Sequence, residues 1–396
     1  MQSRLESEQT VPDARSGARR IDLQALLRTL AQPRLSGSKG AENVTAEIRN
    51  RFEELGYEVR DYPFRFSTWP GRWAIAIVGV TYTIGAFTAT GLLIARHPGV
   101  ALALLFCVLL LAAAIGVLAR PAIAALPWGR VETFNQVAVR PGTRPRILLM
   151  AHRDSKSQPL PLAFRGPAIV LAVLTFVLLF VFSGLAVLDV FALRTSASSI
   201  IGAIAVVSAV MLVFSWVDNR SPGALDNASG VATLIGVAER EAASGDVGFI
   251  ITDGEEFGLA GSRAIAPGLP PSHGLINLDG IDDDGTYYVI ERFGWPKKTG
   301  AAPHLAAAIM SAAAELNEPA TRHDVPVGLL LDHIPVVQAG TPAVTLMRGS
   351  LSSLRRVHQP TDSMEAMTGS GVERTVDLLA GALKHLRSQS APYLEQ

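Results

Sequence analysis

Gly248-Phe249-Ile250-Ile251-Thr252-Asp253-Gly254-Glu255-Glu256-Phe257-Gly258 (residues 248–258) joins an apolar run to three closely spaced carboxylates. The apolar half, Gly248–Thr252, predicts a buried β-strand. Adjacent carboxylates at a strand end repel one another unless a positive charge lies nearby, and a metal ion would supply that charge. One glutamate can then bind the metal while its neighbour takes a proton from water. A solvated acidic turn is the alternative.

Helical and strand patterns alternate on both sides of this stretch. The predicted strands are Glu58–Phe66, Asn135–Val139, Arg146–Met150, Leu275–Leu278, Tyr287–Glu291 and Ala343–Met347. The predicted helices are Ile21–Leu30, Glu42–Leu55, Gly230–Ala243, Leu305–Leu316 and Val372–Leu386. Strands separated by helices indicate an α/β fold with a largely parallel sheet flanked by helices. The Pro-Gly turn between Asn135–Val139 and Arg146–Met150 predicts that these two strands are neighbours.

Candidate metal ligands follow the predicted strands, where the ligands of parallel sheets gather. His152 and Asp154 come just after Arg146–Met150, and Asp279 ends Leu275–Leu278. A metal-bound imidazole usually donates its other ring proton to a carboxylate, and Asp154 is placed to receive it. His-x-Asp alone is weak evidence for a metal site, because most such pairs are structural.

Asp226 and His358 complete the candidate set. Asp226 lies before a predicted helix in Gly223-Ala224-Leu225-Asp226-Asn227-Ala228-Ser229-Gly230, where a helix cap is the alternative role. His358 lies in Val357-His358-Gln359-Pro360-Thr361-Asp362. Among the other histidines, we expect a structural role for His333, with support of the metal ligands as the alternative.

Composition indicates a membrane protein, because 49% of the 396 residues are hydrophobic and the mean hydropathy is +0.30. The excess lies in four runs, each long enough to cross a bilayer core, which takes about 20 residues. These runs are Trp73–Ala95, Val100–Ala119, Ala168–Leu188 and Ser199–Val217. Short links pair them into two hairpins. We therefore expect one discontinuous domain on one side of the membrane.

The predicted organisation has four parts. Residues 1–20 form a disordered tail, 72–119 the first transmembrane hairpin and 167–217 the second, while 21–71, 120–166 and 218–396 build the metal-binding domain. Lys and Arg near the spans are more frequent on the domain side, which predicts a cytoplasmic domain. The lone cysteine, Cys107, lies inside a span and agrees with a reducing compartment. Zero net charge without a basic cluster gives no indication of nucleic acid.

Taken together, these motifs resemble the M28 family of dinuclear zinc aminopeptidases. The matching segments are Leu149–Ser155, Gly223–Gly230, Asp253–Ser262, Ile276–Asp279 and Val357–Asp362, all in the family's order. The resemblance covers nearly all of the polar chain and none of the spans. It implies a phosphorylase/hydrolase-like fold, here with two inserted transmembrane hairpins.

The resemblance also implies a role for each candidate. His152 and Asp279 would bind one metal, Glu256 and His358 the other, and Asp226 would bridge the two. Glu255 would be the general base and Asp154 would orient His152. Histidine and carboxylate ligands suit two Zn²⁺ ions, with Mn²⁺ or Co²⁺ as alternatives. The expected partners are a peptide or aminoacyl substrate and the lipid bilayer.

The expected function is therefore that of a membrane-bound aminopeptidase. Two alternatives are a glutaminyl-cyclase-like aminoacyltransferase, which His152 disfavours, and a non-catalytic receptor or scaffold with the same fold. Some family members carry an oxyanion-binding Tyr just before the last histidine, where this chain has Val357. The long interval between His152 and Asp226 predicts that the second hairpin is an insertion at the rim of the site.

Overall fold

The computed structural model describes residues 21–118, 127–189, 195–270, 272–326 and 328–390. The predicted tail, residues 1–20, lies outside the described residues. The strands are β1 Glu58–Ser67, β2 Arg130–Val139, β3 Ile147–His152, β4 Val247–Thr252, β5 Gly274–Ile281, β6 Thr286–Ile290, β7 Ala320–His323 and β8 Ala343–Gly349. The helices are α1 Leu23–Leu30, α2 Lys39–Glu54, α3 Trp69–Ile94, α4 Pro98–Leu118, α5 Leu162–Val187, α6 Thr195–Val213, α7 Ser229–Arg240, α8 Ala260–Ile265, α9 Pro303–Glu315, α10 His333–Gln338, α11 Leu351–Arg356 and α12 Ser370–Ser390.

The strands form one mixed sheet in the order β1-β2-β4-β3-β5-β8-β6-β7. The central strands β4, β3, β5 and β8 are parallel, whereas β1, β2 and β6 add antiparallel pairs towards the edges. Helices cover both faces, so every residue of β3, β4 and β5 is buried. The predicted class, a largely parallel α/β sheet flanked by helices, is confirmed.

The predicted pairing of the second and third strands is wrong. β4 lies between them, antiparallel to β2 and parallel to β3. The turn at Pro141-Gly142 is present, but the link from 140 to 146 carries the chain past β4 instead of closing a hairpin. A strand with two apolar faces gains more from burial in the sheet centre than from pairing with the strand nearest in sequence.

The core on one face of the sheet is built by aliphatic and aromatic side chains from several elements. Phe52 of α2 and Tyr57 lie against Phe249 of β4, with ring centroids 5.4 Å from Phe249 in each case. Burying an aromatic side chain of this kind contributes about 1.5–3 kcal/mol relative to exposure. These contacts fix β4, and with it the acidic turn that follows, against the first helices of the domain.

Four helices, α3 to α6, are long and apolar enough to cross a membrane. They pack as a bundle in which Tyr82 and Thr175 share a hydrogen bond of 3.0 Å between their hydroxyls. Gly79 allows α3 to approach α6, since a Cβ there would lie 2.7 Å from the Val213 nitrogen. Large apolar side chains on the outside are exposed, for example Phe87 at 73%.

Candidate metal site

The first group of candidate ligands converges at the carboxyl end of the central strands. His152 is the last residue of β3, and Asp279 lies within β5, the parallel neighbour of β3. The Nε2 atom of His152 is 3.2 Å from Oδ1 of Asp226 and 3.7 Å from Oδ1 of Asp279. Three candidate ligand atoms from these residues lie within 4.8 Å of one another. They can hold one metal ion.

A second group shares Asp226 with the first. The Nε2 atom of His358 is 3.2 Å from Oδ2 of Asp226 and 3.3 Å from Oε2 of Glu256. Candidate ligand atoms from these three residues also lie within 4.8 Å of one another. Because one Asp226 oxygen faces each histidine, its carboxylate has the geometry of a bridge between two ions.

The residues fit two divalent cations on physical grounds. Each group offers one imidazole nitrogen and two carboxylates, a donor set suited to Zn²⁺, Mn²⁺ or Co²⁺. Nε2 of His152 and Oε1 of Glu256 are buried without a hydrogen-bond partner among the described residues. A buried polar atom without a partner is destabilising, and buried carboxylates repel one another. Bound cations would contact the unpaired atoms and would offset the repulsion.

The charges in the site perturb one another strongly. Burial lowers the pKa of His152, but the nearby carboxylates of Asp154, Asp226 and Asp279 outweigh it and raise the pKa well above its usual value. Burial also opposes ionisation of Asp226, yet the two histidines lower its pKa well below the usual range.

The two adjacent glutamates differ in their surroundings. Burial raises the pKa of Glu255 well above its usual value, and the charges of Glu256 and Asp279 act in the same direction, although the charge of His152 opposes them. For Glu256, burial is outweighed by the charges of Lys156 and His358, which lower its pKa to about 2. The Glu255 carboxyl therefore tends to keep its proton, whereas the Glu256 carboxyl tends to stay ionised.

Asp154 positions the acidic turn as well as facing His152. Its two carboxylate oxygens accept the backbone N–H groups of Glu255 and Glu256, each at 3.2 Å. Its Oδ1 is 3.5 Å from Nδ1 of His152, whereas the Asp154 backbone oxygen is closer, at 3.1 Å. The orienting contact to the imidazole is thus made by the main chain at least as much as by the side chain.

The turn around Asp226 is fixed by side chains on both sides. The Asp362 carboxylate accepts the backbone N–H groups of Leu225 at 2.7 Å and of Asp226 at 3.0 Å. The Asn227 side chain accepts the Gly230 N–H and donates to the Leu278 carbonyl. Asn227 therefore supplies the helix-end bond, which leaves the Asp226 carboxylate free to face the histidines.

The loop carrying His358 is held in an uncommon conformation. The backbone φ of His358 is 63°, in the left-handed region that costs a non-glycine residue about 1–2 kcal/mol. Its carbonyl accepts the Gln158 N–H at 2.9 Å, and the Gln359 amide donates to the Gln158 carbonyl. The segment after His152 thus secures the loop that carries the other histidine.

Two residues at the site carry no sequence signal that we recognised. Arg34 is fully buried and donates to the carbonyls of Arg153, Pro222 and Gly223. Lys156 places Nζ 2.5 Å from Oε2 of Glu256. Arg34 and Lys156 are isolated basic residues in polar stretches, and no periodic pattern or motif in the sequence singles them out.

His333 takes part in a buried polar network below the site. Its Nδ1 is 2.7 Å from Oγ1 of Thr345, which also accepts from Asn277 at 3.1 Å. Neighbouring Asp332 accepts from Thr252 at 2.5 Å. Because Thr252, Asn277 and Thr345 belong to β4, β5 and β8, the network joins these three strands to the start of α10.

A cavity of about 1350 Å³ opens over both groups of ligands. Glu255, Asp226 and His358 line it, and so do Val357 and Leu331. The aliphatic side chain of Val357 offers no hydrogen-bond donor to a substrate in this cavity.

The sequence model of peptidase family M28 matches residues 200–383. This range contains Asp226, Glu255, Glu256, Asp279 and His358 and begins after His152 and Asp154. A search of curated protein sequences finds no significant match.

Solved structures share the fold at low sequence identity. An aminopeptidase from Aneurinibacillus sp. strain AM-1 is 14% identical, with 91% of this chain and 92% of that chain covered and a TM-score of 0.53. BSAP, a zinc aminopeptidase from Bacillus subtilis, is 14% identical over 91% and 93%, with a TM-score of 0.53. Porphyromonas gingivalis glutaminyl cyclase is 15% identical over 93% and 97%, with a TM-score of 0.52. At such identities the likeness concerns the fold.

Proposed function

Because the sequence model of peptidase family M28 matches residues 200–383, we propose that the chain belongs to this family and is a membrane-bound dinuclear zinc aminopeptidase that removes N-terminal residues from peptides. The observation that carries the proposal is the shared Asp226, whose two carboxylate oxygens face the two histidines. A site for a single ion needs no such arrangement, and a scaffold needs no ligands at all.

Each residue has a proposed part in hydrolysis. His152, Asp279, Glu256 and His358 would hold the two ions, and Asp226 would be shared between them. Bound divalent cations would acidify water and polarise the scissile carbonyl.

Glu255 lines the cavity beside these ligands and accepts a proton from the attacking water at its carboxylate. It then gives the proton to the leaving amine as the C–N bond breaks. Asp154 acts through others, because it holds the Glu255 and Glu256 backbone in place.

The decisive experiment compares Glu255→Gln with Asp226→Ala. We expect Glu255→Gln to keep two metals per chain and to lower kcat on aminoacyl anilides by about 10²–10⁴-fold, since only the proton acceptor is lost. Asp226→Ala should lose metal as well as activity. Glu54→Gln, at an exposed position on α2, is the matched control. Full activity in Glu255→Gln would refute the mechanism.

Metal stoichiometry separates the aminopeptidase from the alternatives. Mass-spectrometric metal analysis of detergent-purified protein, after zinc reconstitution and removal of excess, should give two ions per chain. One ion, together with cyclisation of N-terminal glutamine, would favour the glutaminyl-cyclase-like reaction, and none would favour the scaffold.

We propose further that α3 to α6 cross the membrane with the domain on the cytoplasmic side. The support is their length and apolarity and the arginines at the domain ends, such as Arg72 and Arg165. In a Cys107→Ser background, His97→Cys in the α3–α4 link should react with an impermeant maleimide in intact cells. Glu54→Cys should react only after permeabilisation, and the reverse pattern would overturn the orientation.

A further inference from the structure

The cavity over the ligands extends to the two helices α3 and α5. Besides Glu255 and His358, it is lined by Ile75 of α3 and by Ile169 and Val170 of α5. At 1.5 Å per residue, Ile75 lies about 9 Å into α3 and Val170 about 12 Å into α5. The same space therefore touches the reacting groups at one end and the proposed membrane helices at the other.

The helix α3 packs directly against the catalytic turn. A Cβ on Gly71 would lie 2.6 Å from Cδ1 of Phe257, the residue after Glu256. The backbone carbonyl of Arg72 also accepts the Val217 N–H at 3.2 Å, just beyond α6. The catalytic turn and the helix bundle are thus in contact, with no intervening layer between α3 and the turn.

The helix-lined end of the cavity suits a hydrocarbon chain better than a peptide. Its walls carry the aliphatic side chains of Ala74, Ile75, Leu162, Ile169 and Val170, while the charged side chain of Arg165 on α5, which also lines the cavity, donates to Gln158 Oε1 at 2.6 Å. Backbone N–H and C=O groups inside a helix bond one another, so they are not available to a substrate. A peptide backbone there would lose hydrogen bonds to water without replacement, whereas a hydrocarbon would lose none.

The cavity edge formed by α11 and the loop before α10 is apolar and exposed. Leu351 is 80% exposed, Leu354 44% and Leu330 48%, and all three line the cavity. Grouped large apolar side chains on a surface mark contact with a membrane, a ligand or a partner. Here α11 packs beside α5, so Leu351 and Leu354 of α11 lie next to the helix bundle.

We propose that the substrate is an aminoacyl amide of a single long-chain amine, whose hydrocarbon chain lies between α3 and α5. The proposal rests on the peptidase function proposed above. Water adds to the amide carbon and the C–N bond breaks, so that the aminoacyl carbon keeps the hydroxyl as a free amino acid and the amine is the leaving group. The long-chain amine takes the proton. Because the aminoacyl group carries a free α-amino group, the reaction is of the same type as that of an aminopeptidase.

A chain-length series tests the proposal. With the protein in nanodiscs, leucyl ethyl-, butyl-, hexyl- and octylamide are supplied as soluble monomers. We expect kcat/KM to rise about 3- to 4-fold per added methylene, from the roughly 0.8 kcal/mol gained for each buried CH₂. Ala74→Trp, which fills the helix-lined end, should flatten the series. Ala113→Trp, at an exposed position on α4, is the matched control.

A crosslinking measurement provides a readout that does not need turnover. A leucyl dodecylamide with a terminal diazirine should label the first three turns of α3 and α5 in the wild type and in Glu255→Gln. Labelling should fall in Ala74→Trp. Hydrolysis of the ethylamide without a chain-length effect or such labelling would overturn this proposal alone. Preferred cleavage of an equally apolar peptide would overturn it too. Failure to hydrolyse any amide would refute the peptidase function, and the crosslinks would still decide the occupant.

Discussion

Replacing Arg34 by methionine removes a buried guanidinium that joins the two halves of the metal site. Its Nε donates to the Arg153 carbonyl at 2.6 Å, and its Nη2 donates to the Gly223 carbonyl at 2.8 Å. Its Nη1 donates to the carbonyls of Pro222 and Gln32. Arg153 follows His152, and Gly223 precedes Asp226. One side chain therefore holds together segments that α5 and α6 separate in sequence.

The cost of losing this guanidinium can be estimated from its bonds. A hydrogen bond to a charged group contributes about 1.5–3 kcal/mol, and breaking a buried charged network costs about 3–5 kcal/mol in total, since the bonds are not additive. Burial lowers the pKa of Arg34, whereas the charges of Asp362 and Asp226 raise it. The guanidinium charge therefore also stabilises the ionised form of these two carboxylates. With an unfolding entropy of about 2.1 cal/mol/K per residue, 1 kcal/mol shifts the midpoint of a chain of this length by only about 1–2 °C, so Arg34→Met should lower the thermal midpoint by about 3–10 °C.

The assay is thermal unfolding of the detergent-purified protein, followed by intrinsic fluorescence and accompanied by metal analysis. Arg34→Lys keeps the charge but not the planar fork, so it should fall between the wild type and Arg34→Met. Arg28→Met, on the exposed face of α1, is the control. A midpoint for Arg34→Met within about 2 °C of the control, with full metal content, would refute the reasoning.

Two further predictions concern charges near the site. Lys156→Met should bind zinc at least about tenfold more tightly in a chelator competition, because the ammonium beside Glu256 opposes a cation there; unchanged or weaker binding would contradict this. Burial lowers the pKa of His333 to about 4. Below about pH 6.5, the unfolded chain therefore binds a proton that the folded chain does not. The free energy of unfolding consequently falls as the pH falls. Compared with His333→Gln, the wild type should lose about 2 kcal/mol between pH 6.5 and 5, read from thermal midpoints; parallel pH profiles would show that His333 does not titrate in this way.

Much of the site could be predicted because its residues lie at or just after the ends of predicted strands. Parallel strands end at one edge, so His152 and the turn after β4 were expected to meet. Their roles as metal ligands stay predictions until metal is measured. The structure also places them slightly differently from expectation, with His152 as the last residue of β3 and Asp279 inside β5, where the pairing with β8 shifts.

The rest depended on contacts between residues far apart in sequence. The pairing of β2 with β4 depends on burial in the sheet. The local turn sequence Pro141-Gly142 contains no information about this burial. The short elements β7, α8, α10 and α11 lack the length to show a period, and tertiary packing stabilises them. Arg34 acts through backbone carbonyls, which every residue type carries, so its partners leave no trace in the sequence.

The placement of α5 and α6 between His152 and Asp226 sets an order for biogenesis. Residues 153–225 leave the ribosome after the first histidine and before the shared aspartate. At about 5–20 residues per second, this interval lasts roughly 4–15 s. The nascent chain therefore cannot assemble its ligands until both helices have been synthesised. The peptidase proposed above would therefore acquire its hydrolytic capacity only when the helices proposed to cross the membrane are already made.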